Sequence, residues 1–292
     1  MLTLVTGVNG QLGKTLKNLV ELEGTSDSFI FTSKDQLDLS HLDNIQGFIE
    51  AQKFDLIINC AAYTAVDMAE NSKEEANLIN HLAVKKIAEI AQANNIKLIH
   101  ISTDFVFDGL KDEPYIESDY AKPLNIYGDT KLAGENAILS IMQFDATIIR
   151  TSWLYSEYGN NFVKTIFKLA QKDFDLNIVS DQIGTPTYAK DLGVAILNII
   201  KSDKFNWTDQ ESKIYHYSNQ GECSWYEFAK EIIKISNIKC TLNPIKSEDY
   251  PQVAERPKHV LMSKKKISKD FNLKINFWKD SLEKFINFIP PK

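Results

Sequence analysis

An apolar run, Leu2-Thr3-Leu4-Val5-Thr6, stops at Gly7, and glycine returns at Gly10 and Gly13 as a helical pattern begins. No other feature restricts the fold as much. A short continuous apolar run suits a strand buried on both faces of a parallel sheet. Glycine lets the chain turn tightly and lets its backbone approach a ligand. The helix that follows offers free N–H groups and a partial positive charge. Strand, glycine turn and helix in this order are the context in which the spacing signals a pyrophosphate; a structural tight turn is the plainer reading.

The alternation continues along the chain. The pattern predicts helices over 11–23, 42–52, 74–94 and 124–142, and strands over 29–32, 55–60, 97–102 and 146–150. The helix over 74–94 carries its apolar face at Ala76, Ile79, Ala83, Ile87 and Ile90. Strands alternating with helices at this spacing predict an α/β protein, a doubly wound parallel sheet covered on both faces. Ligands of such sheets lie beyond the carboxyl ends of the strands, which directs attention to the loops after Thr6, Thr32, Cys60, Ser102 and Arg150. Beyond Arg150 the pattern loosens. A helix over 161–171, a strand over 176–179, a helix over 189–200 and a strand over 214–218 could extend the same sheet. Further helices are expected over 225–236 and 278–288, with breaks at Pro244, Pro251 and Pro257. We read 1–150 as a cofactor domain to which segments within about 160–218 return. Residues 219–292 form a smaller C-terminal substrate-binding lobe, with contributions from about 151–160 and 181–187.

Composition narrows the class. The 292 residues are 43% hydrophobic and 25% charged, with a formal net charge of -6, which gives no basic footprint for nucleic acid. Three sparse cysteines, Cys60, Cys223 and Cys240, have no metal-like spacing and read as reduced thiols. No basic segment precedes the first strand, and no apolar stretch approaches the roughly 18 residues that span a bilayer. The expectation is a cytoplasmic protein with neither membrane nor nucleic-acid partner and no metal. His100, in the strand beside Ile99, reads as a core or sheet-edge residue.

Tyr127-Gly128-Asp129-Thr130-Lys131 places a phenol and an ammonium four residues apart, neighbours on one helix face. The pair is common on helices, so its position decides: it follows the fourth strand, with the Thr103 hydroxyl just past that strand. A free tyrosine titrates at about 10, and a nearby ammonium favours the phenolate. With a hydride donor beside it, the set suits a nicotinamide-dependent oxidoreductase. Tyr127 would give the proton, Lys131 would hold the nicotinamide ribose, and Thr103 would bind the substrate oxygen. Gly7, Gly10, Gln11, Leu12 and Gly13 would cradle the pyrophosphate, and the small Ala61 and Ala62 before Tyr63 would let the cofactor lie against the backbone.

The glycine spacing resembles that of extended short-chain dehydrogenases/reductases, a Rossmann-like fold. Longer segments resemble, more narrowly, the dTDP-4-dehydrorhamnose reductase family. These are Asn59-Cys60-Ala61-Ala62-Tyr63-Thr64-Ala65-Val66-Asp67, Ser102-Thr103-Asp104-Phe105-Val106-Phe107-Asp108-Gly109, and Tyr127 to Glu135. Arg150-Thr151-Ser152-Trp153-Leu154-Tyr155, Asn160-Asn161-Phe162, Asp181 to Thr187 and Arg256-Pro257 extend the likeness nearly end to end. The resemblance implies reduction of the C4 ketone of dTDP-4-dehydro-β-L-rhamnose. It implies that residues after the second strand choose the cofactor; Ser33 and Lys34 suit a 2′-phosphate, so NADPH is expected, with NADH as the alternative and a solvated Lys34 as the plain reading. Asp38 and Leu39 would meet the adenine, and Asn80 would steady the active-site helix unless it is merely an exposed polar residue.

The dTDP-sugar would meet Thr64, Val66, Thr103, Asp104, Trp153, Asn161 and Arg256. Trp153 offers a flat apolar face, Val66 a surface for the C6-methyl, and Arg256 a fork for the diphosphate. Core packing for Trp153, a helix start for Asn161 and a surface charge for Arg256 are the bland readings. Some relatives dimerise around magnesium held by glutamates. Thr15 at one such position, and an end at Lys292, argue against that site, and either a monomer or a homodimer is consistent with the chain. Two further readings stand beside the reductase: a ketoreductase or epimerase on another nucleotide sugar, and a non-catalytic nucleotide-binding regulatory subunit.

Overall fold

Six parallel strands form the central sheet of the computed structural model, which describes residues 1–172, 175–206 and 211–288. In chain order the elements open with β1 (Thr3–Thr6), α1 (Gln11–Leu22), β2 (Phe29–Thr32), α2 (Leu42–Glu50), β3 (Leu56–Asn59) and the short α3 (Val66–Ala69). They continue with α4 (Lys73–Asn77), α5 (Ala83–Ala93), β4 (Lys97–Thr103), α6 (Ile126–Ile141), β5 (Ala146–Thr151), β6 (Leu154–Tyr155), α7 (Phe162–Ala170) and β7 (Asp175–Val179). Then come β8 (Ile183–Gly184), β9 (Thr187–Tyr188), α8 (Ala189–Lys201), α9 (Asp203–Asn206), β10 (Lys213–His216) and β11 (Cys223–Ser224). The chain closes with α10 (Trp225–Ser236), β12 (Thr241–Ile245), α11 (Lys265–Phe271) and α12 (Trp278–Phe288).

The sheet order is β10-β5-β4-β3-β1-β2. Its strands are rich in buried apolar residues because both faces are covered. Leu4, Ile57, Leu98 and Ile148 pack into one core with α2, α5 and α6, while Val5, Ile58, Ile99 and Ile149 pack into the other with α1 and α8. Helix α1 shows how the pattern works: Leu12, Leu16, Leu19 and Val20 repeat at helical spacing and meet Leu192 and Ile196 of α8. The order in which strands are added to the sheet reverses between β1 and β3, so a crevice opens beyond their carboxyl ends.

Tertiary context redirects several local expectations. The strand over 176–179 does not extend the sheet; β7 pairs in parallel with β12 in a separate two-stranded sheet. Pro244 lies inside β12 rather than breaking it, because a strand with a free edge can spare one N–H. Helix α7 and β7 pack with α10 and α12 around Phe228, Trp278, Leu282 and Phe285, whereas α8 and β10 do return to the main sheet. The single helix expected over 74–94 is divided by one widened π turn, Leu78–Leu82. Thr103 is the last residue of β4 rather than the first beyond it.

Candidate functional site

The crevice beyond β1 and β3 is a cleft of ≈ 730 Å³. Its floor begins with the glycine turn. Gly7 has φ +72, and a Cβ there would lie 2.8 Å from Ala61 Cα and N. A Cβ on Gly13 would lie 2.3 Å from Gly7 O. The turn is therefore closed on itself and pressed against the end of β3, as a backbone that must meet a ligand requires. Gly10 caps α1 without a side chain, so the helix presents its first amides uncovered. At the far rim Lys34 is exposed, 3.9 Å from the Asp38 carboxylate, and Leu37, Asp38 and Leu39 complete that wall.

The other side of the cleft is built by β4 and α6. Thr103, Asp104 and Lys131 are buried and Tyr127 is half-buried. The Thr103 hydroxyl donates to Asp104 Oδ1 at 3.1 Å and accepts from the Phe105 amide at 3.2 Å. Burial pushes the Asp104 carboxyl up to about 7, against the Thr103 hydrogen bond that favours its charge. Burial likewise pushes the Tyr127 phenol up to about 12; the Thr103 hydroxyl opposes this and the Asp104 charge adds to it. Burial pulls the Lys131 ammonium down to about 8, opposed by Glu135 and Cys60. Lys131 Nζ donates to the Ile101 carbonyl at 2.6 Å and lies 3.2 Å from His100 Nε2. Just past β5, Trp153 holds a left-handed backbone, φ +45, with its indole stacked 3.5 Å from that of Trp225. A bulky residue kept in that region marks local strain held by the surrounding structure.

Most of the residues singled out in the sequence meet here. Gly7, Gly10, Gln11, Leu12, Lys34, Asp38, Leu39, Ala61, Ala62, Thr64, Val66, Thr103, Asp104, Tyr127, Lys131 and Trp153 all line the cleft. Gly13, Ser33, Tyr63, Asn80, Asn161 and Arg256 do not. Asn80 is buried, not an exposed helix residue. It sits in the widened turn, accepts from Tyr63 N at 2.9 Å and donates to Tyr63 O and Thr130 Oγ1, tying the loop after β3 to α6. Asn161 is the N-cap of α7, accepting from Lys164 N, and its amide donates to Gln11 Oε1 and Ser156 O. Its neighbour Asn160 lines the cleft instead. Arg256 is neither at the cleft nor a free surface charge; its two terminal nitrogens grip Asp67 at 3.0 and 2.7 Å.

Thr15 is buried and donates to Gln11 O, while Lys292 lies outside the described residues. Among the described residues no group of three or more His, Cys, Asp or Glu is placed to hold a metal ion, and no helix is long and apolar enough to cross a membrane. Cys60, Ile101, Ser102, Thr151, Ser152 and Gly159 also line the cleft and were not singled out for it. For most of them the signal was available, since they follow strands β3, β4 and β5 at the carboxyl edge.

Comparison with known proteins agrees with this architecture. Residues 1–289 match the family described as the RmlD substrate binding domain. The chain is 37% identical to a dTDP-4-dehydrorhamnose reductase of Sinorhizobium fredii, over 97% of this chain and 95% of that one. It is 32% identical to a dTDP-4-keto-6-deoxy-D-glucose reductase of Streptomyces niveus, over 89% and 87% of the two chains. The crystal structure of a dTDP-4-dehydrorhamnose reductase from Bacillus anthracis in complex with NADP superposes with a TM-score of 0.91 at 37% identity, covering 99% of this chain and 100% of that one. With a match along nearly its whole length and relatives at this identity, the chain belongs to the RmlD substrate binding domain family, that of the dTDP-4-dehydrorhamnose reductases.

Proposed function

We propose that the protein reduces the C4 ketone of dTDP-4-dehydro-β-L-rhamnose to the alcohol of dTDP-β-L-rhamnose, with NADPH as the preferred cofactor. One observation carries the reading: the Thr103, Tyr127 and Lys131 side chains converge on the same cleft as the closed glycine turn. The relatives named as dTDP-4-dehydrorhamnose reductases supply the substrate class.

The cleft suits a dinucleotide. The glycine turn leaves no Cβ between its backbone and a phosphate, and the first amides of α1 face the same place. Lys34 is exposed at the rim, where an ammonium would favour a 2′-phosphate over a bare hydroxyl. Bound there, the cofactor supplies a hydride. Lys131 holds the nicotinamide ribose and, as an ammonium, stabilises negative charge on Tyr127. Tyr127 starts as the neutral phenol, as its raised pKa requires near neutrality, and gives its proton to the carbonyl oxygen as charge develops there. Thr103 orients that oxygen by hydrogen bonding. Trp153 and Val66 form the apolar wall for a deoxysugar, and Thr64 and Asp104 bond its hydroxyls. Residues of 151–160 form the sugar side of the cleft, with Trp225 of the C-terminal lobe stacked against Trp153. Arg256 acts through Asp67, by fixing α3, which begins at Val66, rather than by touching the diphosphate.

The test is oxidation of NADPH and NADH with dTDP-4-dehydro-L-rhamnose, beside Tyr127→Phe. The variant should bind cofactor normally and lose about 10²–10⁴-fold in kcat, and wild type should prefer NADPH. The Streptomyces relative favours one other substrate, a 4-keto-6-deoxyglucose nucleotide. Turnover of that sugar alone would move the assignment to it. A folded, cofactor-binding protein that turns over neither would leave a regulatory subunit.

A further inference from the structure

His100 is fully buried in β4, and the reaction above leaves it without a task. Its surroundings are unusual for a core. Thr6, Asn59 and His100 are register partners on the adjacent strands β1, β3 and β4, and their side chains form one row across the sheet. Thr6 Oγ1 lies 2.6 Å from Asn59 Oδ1, and Asn59 Nδ2 lies 3.1 Å from His100 Nδ1. His100 Nε2 then lies 3.2 Å from Lys131 Nζ. All four residues are 2% exposed or less. A polar row this deep costs desolvation unless each member is satisfied, so its proton count is constrained.

Burial and the neighbouring Lys131 charge hold the His100 imidazole well below its ordinary pKa, so it is neutral, with one N–H and one bare nitrogen. If Lys131 is an ammonium, Nε2 must be bare. Nδ1 then carries the proton, and Asn59 turns its oxygen to His100 and its NH2 to Thr6. If Lys131 is a neutral amine, Nε2 carries the proton and donates to Nζ. Asn59 then gives its NH2 to Nδ1 and accepts from Thr6, the amide orientation present in the structure. The two arrangements are both fully paired, and they differ by one proton on Lys131 and a half-turn of the Asn59 amide.

We infer that His100 is a positioning residue for the reduction: its Nε2 and the Ile101 carbonyl engage two protons of the Lys131 ammonium and leave the third for the cleft, and the imidazole changes tautomer when Lys131 loses its proton. This rests on the role proposed for Lys131. The other charged or titratable groups around Lys131 are Glu135 one turn along α6, bound to Arg150 of β5 and to Ser102, and Cys60 at the end of β3, whose thiol burial pushes up to about 12. On the same wall of the cleft stand Tyr127, one turn before Lys131 on α6, and Asp104, just past β4.

The inference is tested by 15N NMR of the imidazole in the protein without cofactor, with the His100 signal identified by its absence in His100→Gln. The expected result is a neutral ring throughout, passing from the Nδ1–H to the Nε2–H tautomer as pH rises through about 8. One tautomer across that range, or an imidazolium, would overturn it. Turnover gives the second arm. His100→Leu removes an acceptor from a buried ammonium, so Lys131 should lose its proton at lower pH. The alkaline limb of kcat should then move down by about one pH unit, costing about tenfold at alkaline pH, with substrate KM within about twofold. His100→Gln, whose amide oxygen can accept from Nζ, should restore the limb. A folded His100→Leu with an unmoved limb overturns the proposal; if it does not fold, the tautomer measurement decides. Full turnover in Lys131→Met would instead refute the site assignment itself.

Discussion

Replacing Asp104 by asparagine should make the protein more stable, by an amount that depends on pH. Asp104 is 3% exposed, and its carboxyl is raised from 3.8 to about 7 because burial penalises the charge more than the Thr103 hydrogen bond repays. Carrying a carboxyl between those values corresponds to about 4 kcal/mol. The sign follows from linkage. The folded pKa is raised, so the native state holds its proton more tightly than the unfolded chain does. That stabilisation is fully present below 3.8 and is lost as pH rises through about 7. Asparagine has the same shape, keeps an oxygen to accept from Thr103 Oγ1, and never ionises. The variant's advantage should therefore be about 1.5 kcal/mol at about pH 5 and about 4 kcal/mol at about pH 8. Urea unfolding without cofactor, compared at those two pH values through the midpoint at constant m, measures it. A variant no more stable than wild type at the higher pH, or an advantage equal at both, would refute the argument that burial dominates this carboxyl.

Three other outcomes are expected. Gly134→Ala would place a Cβ 2.2 Å from the Asn80 carbonyl oxygen, so α6 and the widened turn must part; thermal unfolding should show a loss of about 1–3 kcal/mol, and cofactor affinity should fall because Asn80 holds Tyr63. Glu135→Leu strips Arg150 of the carboxylate it meets at 2.6 Å and leaves a buried guanidinium uncompensated; denaturant melts should show a loss of about 3–5 kcal/mol, and wild-type stability in the variant would refute it. Asp67 accepts from Arg256 and from the Val253 and Ala254 amides, and the Arg256 hydrogen bond leads in holding its carboxyl at about 2. Its pairing is complete above the ordinary carboxylate range and is lost as pH falls through about 2. Asp67→Asn should accelerate hydrogen exchange at those two amides near neutrality, where unchanged protection would sink the idea.

How much of this was legible beforehand follows from how local each signal is. The six strands, the helices over them and the closed glycine turn could be read directly, because apolar runs, helical periodicity and glycine spacing act within one or two turns of chain. Tyr127 and Lys131 were legible for the same reason: four residues on a helix always make neighbours. What could not be read was any property that depends on a partner distant in the chain. Strand β7 carries the same apolar content whether it joins the main sheet or pairs with β12, and only the packing of α7, α10 and α12 decides between them. Asn161 and Arg256 have the chemistry to meet a sugar diphosphate, but the fold commits the first to capping α7 and the second to Asp67.

His100 is the clearest case. In the sequence it is a polar residue set between Ile99 and Ile101 in a strand. Its meaning comes from Thr6 and Asn59, the latter 41 residues before it and 53 after Thr6, which strand register alone lines up with it. The sequence by itself determined which segments become strands and helices and which residue types stand at the carboxyl edge. The tertiary structure decided which of those side chains share a buried environment, because burial and hydrogen-bond partners, which set their proton affinities, exist only once distant strands are in register.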